Sequence, residues 1–245
     1  MPYVVAGGLR FHVQHLGAGS PVVMVHGLFT GSAASWYLGA APVLARRHHV
    51  VCYDQRGHGL SDRPERGYDL ATLAGDLDAL TGDLEPFALV GHSYGGVVAL
   101  RFAVDRPGRV TRLVLVDSFT PAEGDPIPGV SDATAHAGAI SWTDVVNKAI
   151  RSRRPRRKSA AVALADSTSL VADIRVAGQI TDDELASIAV PVMCIAGESS
   201  PFGDAVAALA HKLPGAHTVT IPGGHALTVE GGEMLDRLLV EYCDV

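Results

Sequence analysis

The sequence has few cysteines and no run of residues long and apolar enough to span a membrane. Only three cysteines occur among 245 residues, and Cys52 and Cys194 lie within apolar, strand-like runs. Cysteines without metal-type spacing argue against a disulfide framework or a zinc site. No stretch of about 18 apolar residues is present, and the first residues lack the basic start and apolar segment of a signal peptide. We therefore expect a cytoplasmic protein that does not bind membranes.

Strong positive charge and cofactor motifs are also missing. The chain has a net charge of −6, which argues against general binding to nucleic acid. It contains no Gly-x-Gly-x-x-Gly, no phosphate-binding loop and no paired-histidine metal motif. We therefore expect neither a cofactor nor a metal ion. Hydrophobic residues make up 47% of the chain, enough for a large core in one domain with an insertion.

Short apolar runs alternate with segments of helical length along most of the chain. Runs rich in valine, leucine and isoleucine predict parallel strands that are buried on both faces and connected by helices. The predicted strands are Arg10–Leu16, Val22–Val25, Val50–Tyr53, Phe87–Val90, Val110–Val116, Val190–Ala196 and Thr218–Ile221. The predicted helices are Trp36–Arg47, Leu70–Asp83, Gly95–Asp105, Asp204–Leu213 and Gly232–Tyr242. This alternation predicts an α/β fold with a doubly wound, mostly parallel sheet.

The alternation is interrupted once, between residues 118 and 188, where the connection is much longer than one helix requires. The segment starts with the Pro- and Gly-rich stretch Pro121–Gly129 and continues with a mostly helical pattern. We predict a core made of residues 1–118 and 188–245, with a short helical cap inserted at residues 119–187.

A glycine-flanked serine follows one of the central predicted strands. The sequence Gly-His-Ser-Tyr-Gly at residues 91–95 matches G-x-S-x-G between a strand and a helix. Small residues at Gly91 and Gly95 allow the tight turn that exposes a serine hydroxyl above the strand end. Ser93 is therefore the candidate nucleophile.

A serine hydroxyl is a poor nucleophile at neutral pH and needs a base within hydrogen-bonding distance. His225 ends a Pro-Gly-Gly-His loop between the last predicted strand and the last helix. That loop would lie at the carboxyl edge of the sheet, as Ser93 does. We predict that His225 is the base.

Four motifs together resemble the α/β-hydrolase family over nearly the full chain. They are His26-Gly27-Leu28-Phe29, the segment Tyr53–Asp62, the elbow Gly91–Gly96 and the loop Pro222–His225. The resemblance implies an oxyanion hole formed by the backbone N–H groups of Leu28 and Tyr94. It also implies that Asp54, Arg56 and His58 form a hydrogen-bonded structural turn rather than a second active centre.

The acid that should accompany the histidine departs from the pattern of many family members, in which Gly-x-x-Asp follows the penultimate strand. Here the segment reads Gly-Glu-Ser-Ser, so Ser200 stands where the acid is expected. An acid is still needed, because it orients the imidazole and stabilises its charged form. Asp117, which ends the strand after the nucleophile, resembles the acid of some family members and is our prediction. Asp204 and then Glu198 are the alternatives.

Aromatic residues near the site predict an apolar substrate pocket lined by Phe29 and Phe119, with Trp142 from the cap as a further wall. The cap also contains six cations in the eight residues Arg151–Lys158. This segment is either a solvated helix junction or a docking patch for an anion. In the second case the partner would be a coenzyme A thioester or an acidic acyl carrier protein.

A serine nucleophile implies an acyl-enzyme and thus an acyl substrate. The sequence favours a serine hydrolase or acyltransferase that acts on a small ester or thioester. Two alternatives use the same residues differently. One is a cofactor-free haloperoxidase or a lyase, in which Ser93 and His225 shuttle a proton or form a peracid. The other is a small-molecule receptor on a hydrolase scaffold.

Overall fold

The computed structural model describes residues 3–28, 31–120, 160–176 and 180–244. Its strands are β1 (Tyr3–Ala6), β2 (Leu9–Leu16), β3 (Pro21–Val25), β4 (His49–Tyr53), β5 (Phe87–His92), β6 (Val110–Val116), β7 (Val192–Gly197) and β8 (His217–Ile221). They form one sheet in the order β1-β2-β4-β3-β5-β6-β7-β8. β2 is antiparallel to β1 and to β4, and the other described pairs are parallel. The predicted α/β fold with a mostly parallel sheet is therefore confirmed.

The helices of the described residues lie between the strands and at the end of the chain. They are α1 (Ala34–Tyr37), α2 (Ala40–Leu44), α3 (Leu70–Thr81), α4 (Tyr94–Asp105), α5 (Ala160–Ser167), α6 (Leu170–Val176), α7 (Asp182–Ala186), α8 (Gly203–Lys212), α9 (Leu227–Glu230) and α10 (Gly232–Cys243). None of these is long and apolar enough to cross a bilayer.

Helices cover both faces of the sheet, because successive side chains along a strand point to opposite sides. In β3, Val23 and Val25 belong to one apolar cluster, whereas Val22 and Met24 belong to the other. The first cluster includes buried side chains of α3, α4 and α8, and the second includes those of α1, α2 and α10. Burial on both faces explains why the buried stretches of the central strands are apolar at consecutive positions.

The sequence pattern does not predict β1, which forms a hairpin with β2. The connecting residues Gly7 and Gly8 have φ values of 55° and 78°. Two consecutive residues with positive φ form the two-residue turn that matches the twist of antiparallel strands. The Gly-Gly pair was therefore the local signal for this hairpin.

The predicted helix Trp36–Arg47 is wrong as a single element, because the structure divides it into α1 and α2. Pro42 lies within α2 and has no backbone N–H to donate to the carbonyl of Leu38. Its ring would also clash with that carbonyl in a continuous helix. The chain accordingly leaves helical geometry at Gly39, where φ is −122° and ψ is −113°.

Helices α5, α6 and α7 belong to the long segment between β6 and β7 and pack on the core. The backbone N–H of Tyr68 donates to the Asp173 carboxylate at 2.9 Å, and Arg101 of α4 pairs with Glu184 at 2.9 Å. Their helical structure agrees with the predicted pattern of the insertion. The boundaries of core and cap remain a prediction, since residues 121–159 and 177–179 lie outside the described residues.

Gly95 sits where α4 crosses the end of β3, and we expect even a single added carbon to be costly there. A Cβ at this position would lie 2.4 Å from the His26 carbonyl oxygen and 2.6 Å from that of Val25. Gly95→Ala should therefore lower the free energy of unfolding by about 1–3 kcal/mol, as overpacking does elsewhere. Urea denaturation measures this change.

Gly75 provides a matched control within helix α3. A Cβ there meets no atom within 4 Å, and the residue is exposed. Gly75→Ala should raise stability by about 0.5–1 kcal/mol, because alanine loses less backbone entropy in a helix. Equal effects of the two substitutions would contradict the close approach of α4 and β3.

Candidate active site

Ser93 lies in the sharp turn between β5 and α4 and has a backbone conformation that residues other than glycine rarely adopt. Its φ is 55° and its ψ is −127°, which costs energy unless the surroundings hold it. Its N–H donates to the Val116 carbonyl at 2.9 Å. Its own carbonyl accepts from Ser118 Oγ at 2.8 Å and from the Gly96 N–H at 2.9 Å. These bonds hold the turn so that the Ser93 hydroxyl faces His225.

A hydrogen-bonded chain joins Ser93, His225 and Asp117. His225 Nε2 lies 3.0 Å from Ser93 Oγ, and His225 Nδ1 lies 2.6 Å from Asp117 Oδ2. An ionised carboxylate only accepts, so Nδ1 donates to it and Nε2 is left to accept the serine proton. The alternative acids Asp204 and Glu198 are both exposed. The structure thus places Asp117 where the sequence analysis expects the acid.

The Asp117 carboxylate is fully buried and has two further donors that the sequence analysis missed. The N–H of Gly197 donates to Oδ1 at 3.2 Å. Ser200 Oγ lies 2.5 Å from Oδ2. Ser200 stands out in the sequence as the residue at the usual acid position, but spacing does not reveal that it contacts the acid itself.

Several side chains hold the loop that carries His225. Glu230 Oε2 accepts from the Gly224 N–H at 2.5 Å. His92 Nε2 lies 2.8 Å from the His225 carbonyl oxygen, which can only accept, so the imidazole donates. The ring of Phe202 lies 4.6 Å from that of His225. These contacts restrict the position of the imidazole above Ser93.

The two residues expected to form the oxyanion hole, Leu28 and Tyr94, lie in segments adjacent to Ser93. A Cβ on Gly27 would lie 3.2 Å from Ser93 Cβ, so the turn containing Leu28 passes directly against the serine. Tyr94 is the first residue of α4, and the first N–H groups of a helix have no partner within it. Within the described part of the chain, neither Leu28 N–H nor Tyr94 N–H donates to a backbone carbonyl. Both groups are suited to bind a developing negative charge.

The polar residues after β4 form a structural turn, as the resemblance implies. The Asp54 carboxylate accepts from the Ala33 N–H at 2.7 Å. Arg56 donates twice to Asp76, at 2.5 and 2.6 Å, in a buried bidentate pair. His58 Nδ1 donates to the Arg56 carbonyl at 2.9 Å. Asp54 thus connects the turn to the start of α1, Arg56 connects it to α3, and His58 stabilises the turn itself.

Of the predicted pocket residues, the structure describes only Phe119. Its ring is fully buried and stacks on Phe202 at a centroid distance of 5.3 Å. Phe119 therefore supports Phe202, which is the ring that contacts His225. Phe29, Trp142 and the basic segment Arg151–Lys158 lie outside the described residues.

Two buried histidines lie behind the site and contact each other edge to face, with ring centroids 5.2 Å apart. Burial lowers the pKa of His26 to about 4 and that of His58 to about 3. Both are therefore neutral near pH 7, and each uses one nitrogen as a donor. Among the described residues, no group of three or more His, Cys, Asp or Glu is arranged to hold a metal ion.

The fold and the Ser-His-Asp geometry are those of the α/β-hydrolase class. The chain matches the alpha/beta hydrolase family over residues 22–237 and belongs to that family. Among solved structures it is similar to Est816, an N-acyl homoserine lactone degrading enzyme. The TM-score is 0.73 and the identity 28%, over 98% of this chain and 100% of that one.

Each of two curated relatives matches less than half of the chain. The first is a 2-hydroxy-6-oxo-2,4-heptadienoate hydrolase of Pseudomonas putida, 42% identical over 120 residues, which cover 46% of this chain and 42% of that protein. The second is a non-heme chloroperoxidase of Streptomyces lividans, 42% identical over 106 residues, which cover 42% of this chain and 38% of that protein. The chain thus matches less than half the length of each relative.

The buried neutral histidines make stability depend on pH. Below its ordinary pKa of 6.5 an unfolded histidine binds a proton, whereas folded His58 stays neutral down to about pH 3. The stability that the neutral His58 contributes is therefore fully present above pH 6.5 and is lost as the pH falls toward 3. Replacing His58 with asparagine should lower the slope of unfolding free energy against pH by about 1 kcal/mol per unit between pH 5 and 6. Denaturant titrations at several pH values measure that slope.

His217 is exposed at the start of β8 and provides the control. His217→Asn also removes one imidazole but no buried group, so it controls for the loss of a histidine as such, and the drop in slope should be specific to His58→Asn. A slope that is the same in wild type and in His58→Asn would refute the assignment of His58 as a buried neutral group.

Proposed function

We propose that this protein is a serine hydrolase or acyltransferase that acts on a small ester or thioester through an acyl-enzyme on Ser93. The observation that carries the proposal is the hydrogen-bonded chain from Asp117 through His225 to Ser93, with distances of 2.6 and 3.0 Å. This arrangement supplies a nucleophile, a base and a group that orients the base.

In the first half of the reaction, Ser93 Oγ attacks the acyl carbon while His225 Nε2 takes the hydroxyl proton. The negative charge that develops on the acyl oxygen is stabilised by the N–H groups of Leu28 and Tyr94. The bond to the leaving group then breaks, and the proton on Nε2 moves to the departing alkoxide or thiolate. The product of this half is an ester between Ser93 and the acyl group.

In the second half, water or another nucleophile attacks the acyl-serine and gives its proton to His225. Asp117 stabilises the imidazolium in both halves, because its carboxylate accepts the hydrogen bond from Nδ1. Collapse of the second tetrahedral intermediate releases the acid or the transferred ester and returns the proton to Ser93 Oγ. No external oxidant or reductant is needed.

The similarity to Est816 supports an ester as substrate, because a lactone is a cyclic ester. A second candidate is the non-hydrolytic use of the site that the similarity to a chloroperoxidase favours. In that case a peracid would form on the bound acyl group, with peroxide as co-reactant. Trapping the acyl-serine separates the two reactions. If water releases the acyl group without peroxide, the reaction is hydrolysis.

Labelling by a fluorophosphonate probe tests the nucleophile directly. The wild-type protein should be labelled at Ser93 and should hydrolyse members of a p-nitrophenyl ester panel. Ser93→Ala should lose both the label and turnover while its melting temperature stays within a few degrees of wild type, because glycines rather than the hydroxyl shape the turn. Absence of labelling and turnover in the wild type would instead favour a receptor.

The acid is tested by Asp117→Asn, which should lower kcat by about 10³–10⁴, since an amide cannot stabilise the imidazolium. Asp204→Asn is the matched control, because Asp204 is exposed in the first turn of α8. It should change kcat by less than about twofold. The reverse order of effects would make Asp204 the acid.

The basic segment Arg151–Lys158 leads us to propose an anionic acyl carrier, either coenzyme A or an acyl carrier protein. Changing Arg153, Arg154, Arg156 and Arg157 to serine should raise KM for the charged thioester and leave a small neutral ester unaffected. Rising salt should raise KM of the wild type for the charged substrate only. Equal effects on both substrates would identify the segment as a solvated surface.

A further inference from the structure

We infer that Ser200 is a positioning residue that holds the Asp117 carboxylate toward His225. Ser200 Oγ lies 2.5 Å from Asp117 Oδ2, the same oxygen that meets His225 Nδ1 at 2.6 Å. A carboxylate can only accept, so the Ser200 hydroxyl donates. One oxygen thus receives two donors, one from the base and one from this serine. The inference rests on the proposed function, in which Asp117 stabilises the imidazolium.

The carboxylate needs such a donor because of where it lies. Asp117 is fully buried, and a buried charge is costly unless hydrogen bonds satisfy its oxygens. Its backbone is also held in the left-handed region, with φ at 46°. Among the described residues, the hydrogen bonds to the carboxylate besides that from His225 come from the Gly197 N–H at 3.2 Å and the Ser200 hydroxyl. Ser200 makes the shorter of these two contacts.

The Ser200 hydroxyl is itself oriented by the turn in which it lies. The N–H of Phe202 donates to Ser200 Oγ at 3.1 Å, and the N–H of Ser200 donates to the Gly197 carbonyl at 3.0 Å. Because Phe202 N–H occupies a lone pair of Oγ, the hydroxyl proton is free to point at Asp117. The turn 197–202 therefore contacts the acid through Ser200 and the base through the Phe202 ring.

The arrangement predicts how activity changes when the hydroxyl is removed. Ser200→Ala should lower kcat about tenfold, the effect expected for a hydrogen bond to a charged group. KM should stay within about twofold, since Ser200 acts on the acid rather than on the substrate. Ser200→Thr keeps a hydroxyl and should recover most of the lost kcat.

A double-mutant cycle separates positioning of the acid from a general effect on the turn. In the Asp117→Asn background, the charge that Ser200 serves is absent, so adding Ser200→Ala should change the remaining kcat by less than about twofold. Ser187→Ala is the matched control, because the exposed Ser187 hydroxyl also donates to a backbone carbonyl, that of Glu184 at 2.6 Å, and lies before β7 rather than at the strand end that meets Asp117. It should leave kcat within about twofold of wild type.

The test measures the kcat of each variant on a p-nitrophenyl ester and its thermal unfolding. A tenfold loss in Ser200→Ala, with recovery in Ser200→Thr and no further loss in the double variant, supports the inference. Unchanged kcat in Ser200→Ala, or the same loss with and without the Asp117 carboxylate, overturns it. If Ser200→Ala does not fold, a Ser200→Thr enzyme with tenfold lower kcat would overturn it as well. A different result would contradict the proposed function itself: Ser93 in the wild type that is neither labelled by a fluorophosphonate nor required for turnover.

Discussion

The left-handed backbone of Ser93 is the constraint on which the rest of the site depends. A serine at this φ is stable only where neighbouring groups hold it, and the end of β6 does so through the Val116 carbonyl and Ser118 Oγ. Because β5 and β6 are hydrogen-bonded neighbours, the same contact places Asp117 beside the nucleophile. His225 then has to reach both from the loop after β8.

A second left-handed residue, Asp117, extends this arrangement to the acid. Its buried charge is compatible with an apolar core because Gly197 N–H, Ser200 and His225 all contact the carboxylate. Close packing also brings the turn after β3 against Ser93, because Gly27 has no side chain that would separate them. The positions of Ser93, of the buried Asp117 carboxylate and of the turn at Gly27 therefore all depend on how neighbouring strand ends meet.

Much of the fold could be predicted because its strongest signals are local. Apolar runs bounded by turns located β3, β5 and β6 to within two residues, and both glycines of the elbow follow from the need for a tight turn. Elsewhere one or two residues changed the outcome. Pro42 divides a helix that apolar periodicity alone predicts as continuous, and Gly7-Gly8 closes a hairpin whose first strand is short and partly exposed.

By itself the sequence determined the class of the fold, the candidate nucleophile Ser93 and the candidate base His225, because each lies in a motif whose spacing reflects local backbone geometry. It left Asp117, Asp204 and Glu198 as possible acids and did not reveal that Ser200 contacts one of them. Only the tertiary structure decided which carboxylate meets His225, since that depends on where the ends of β6, β7 and β8 meet. Residues far apart in the chain are brought within 3 Å there, and no pattern along the sequence encodes that distance directly.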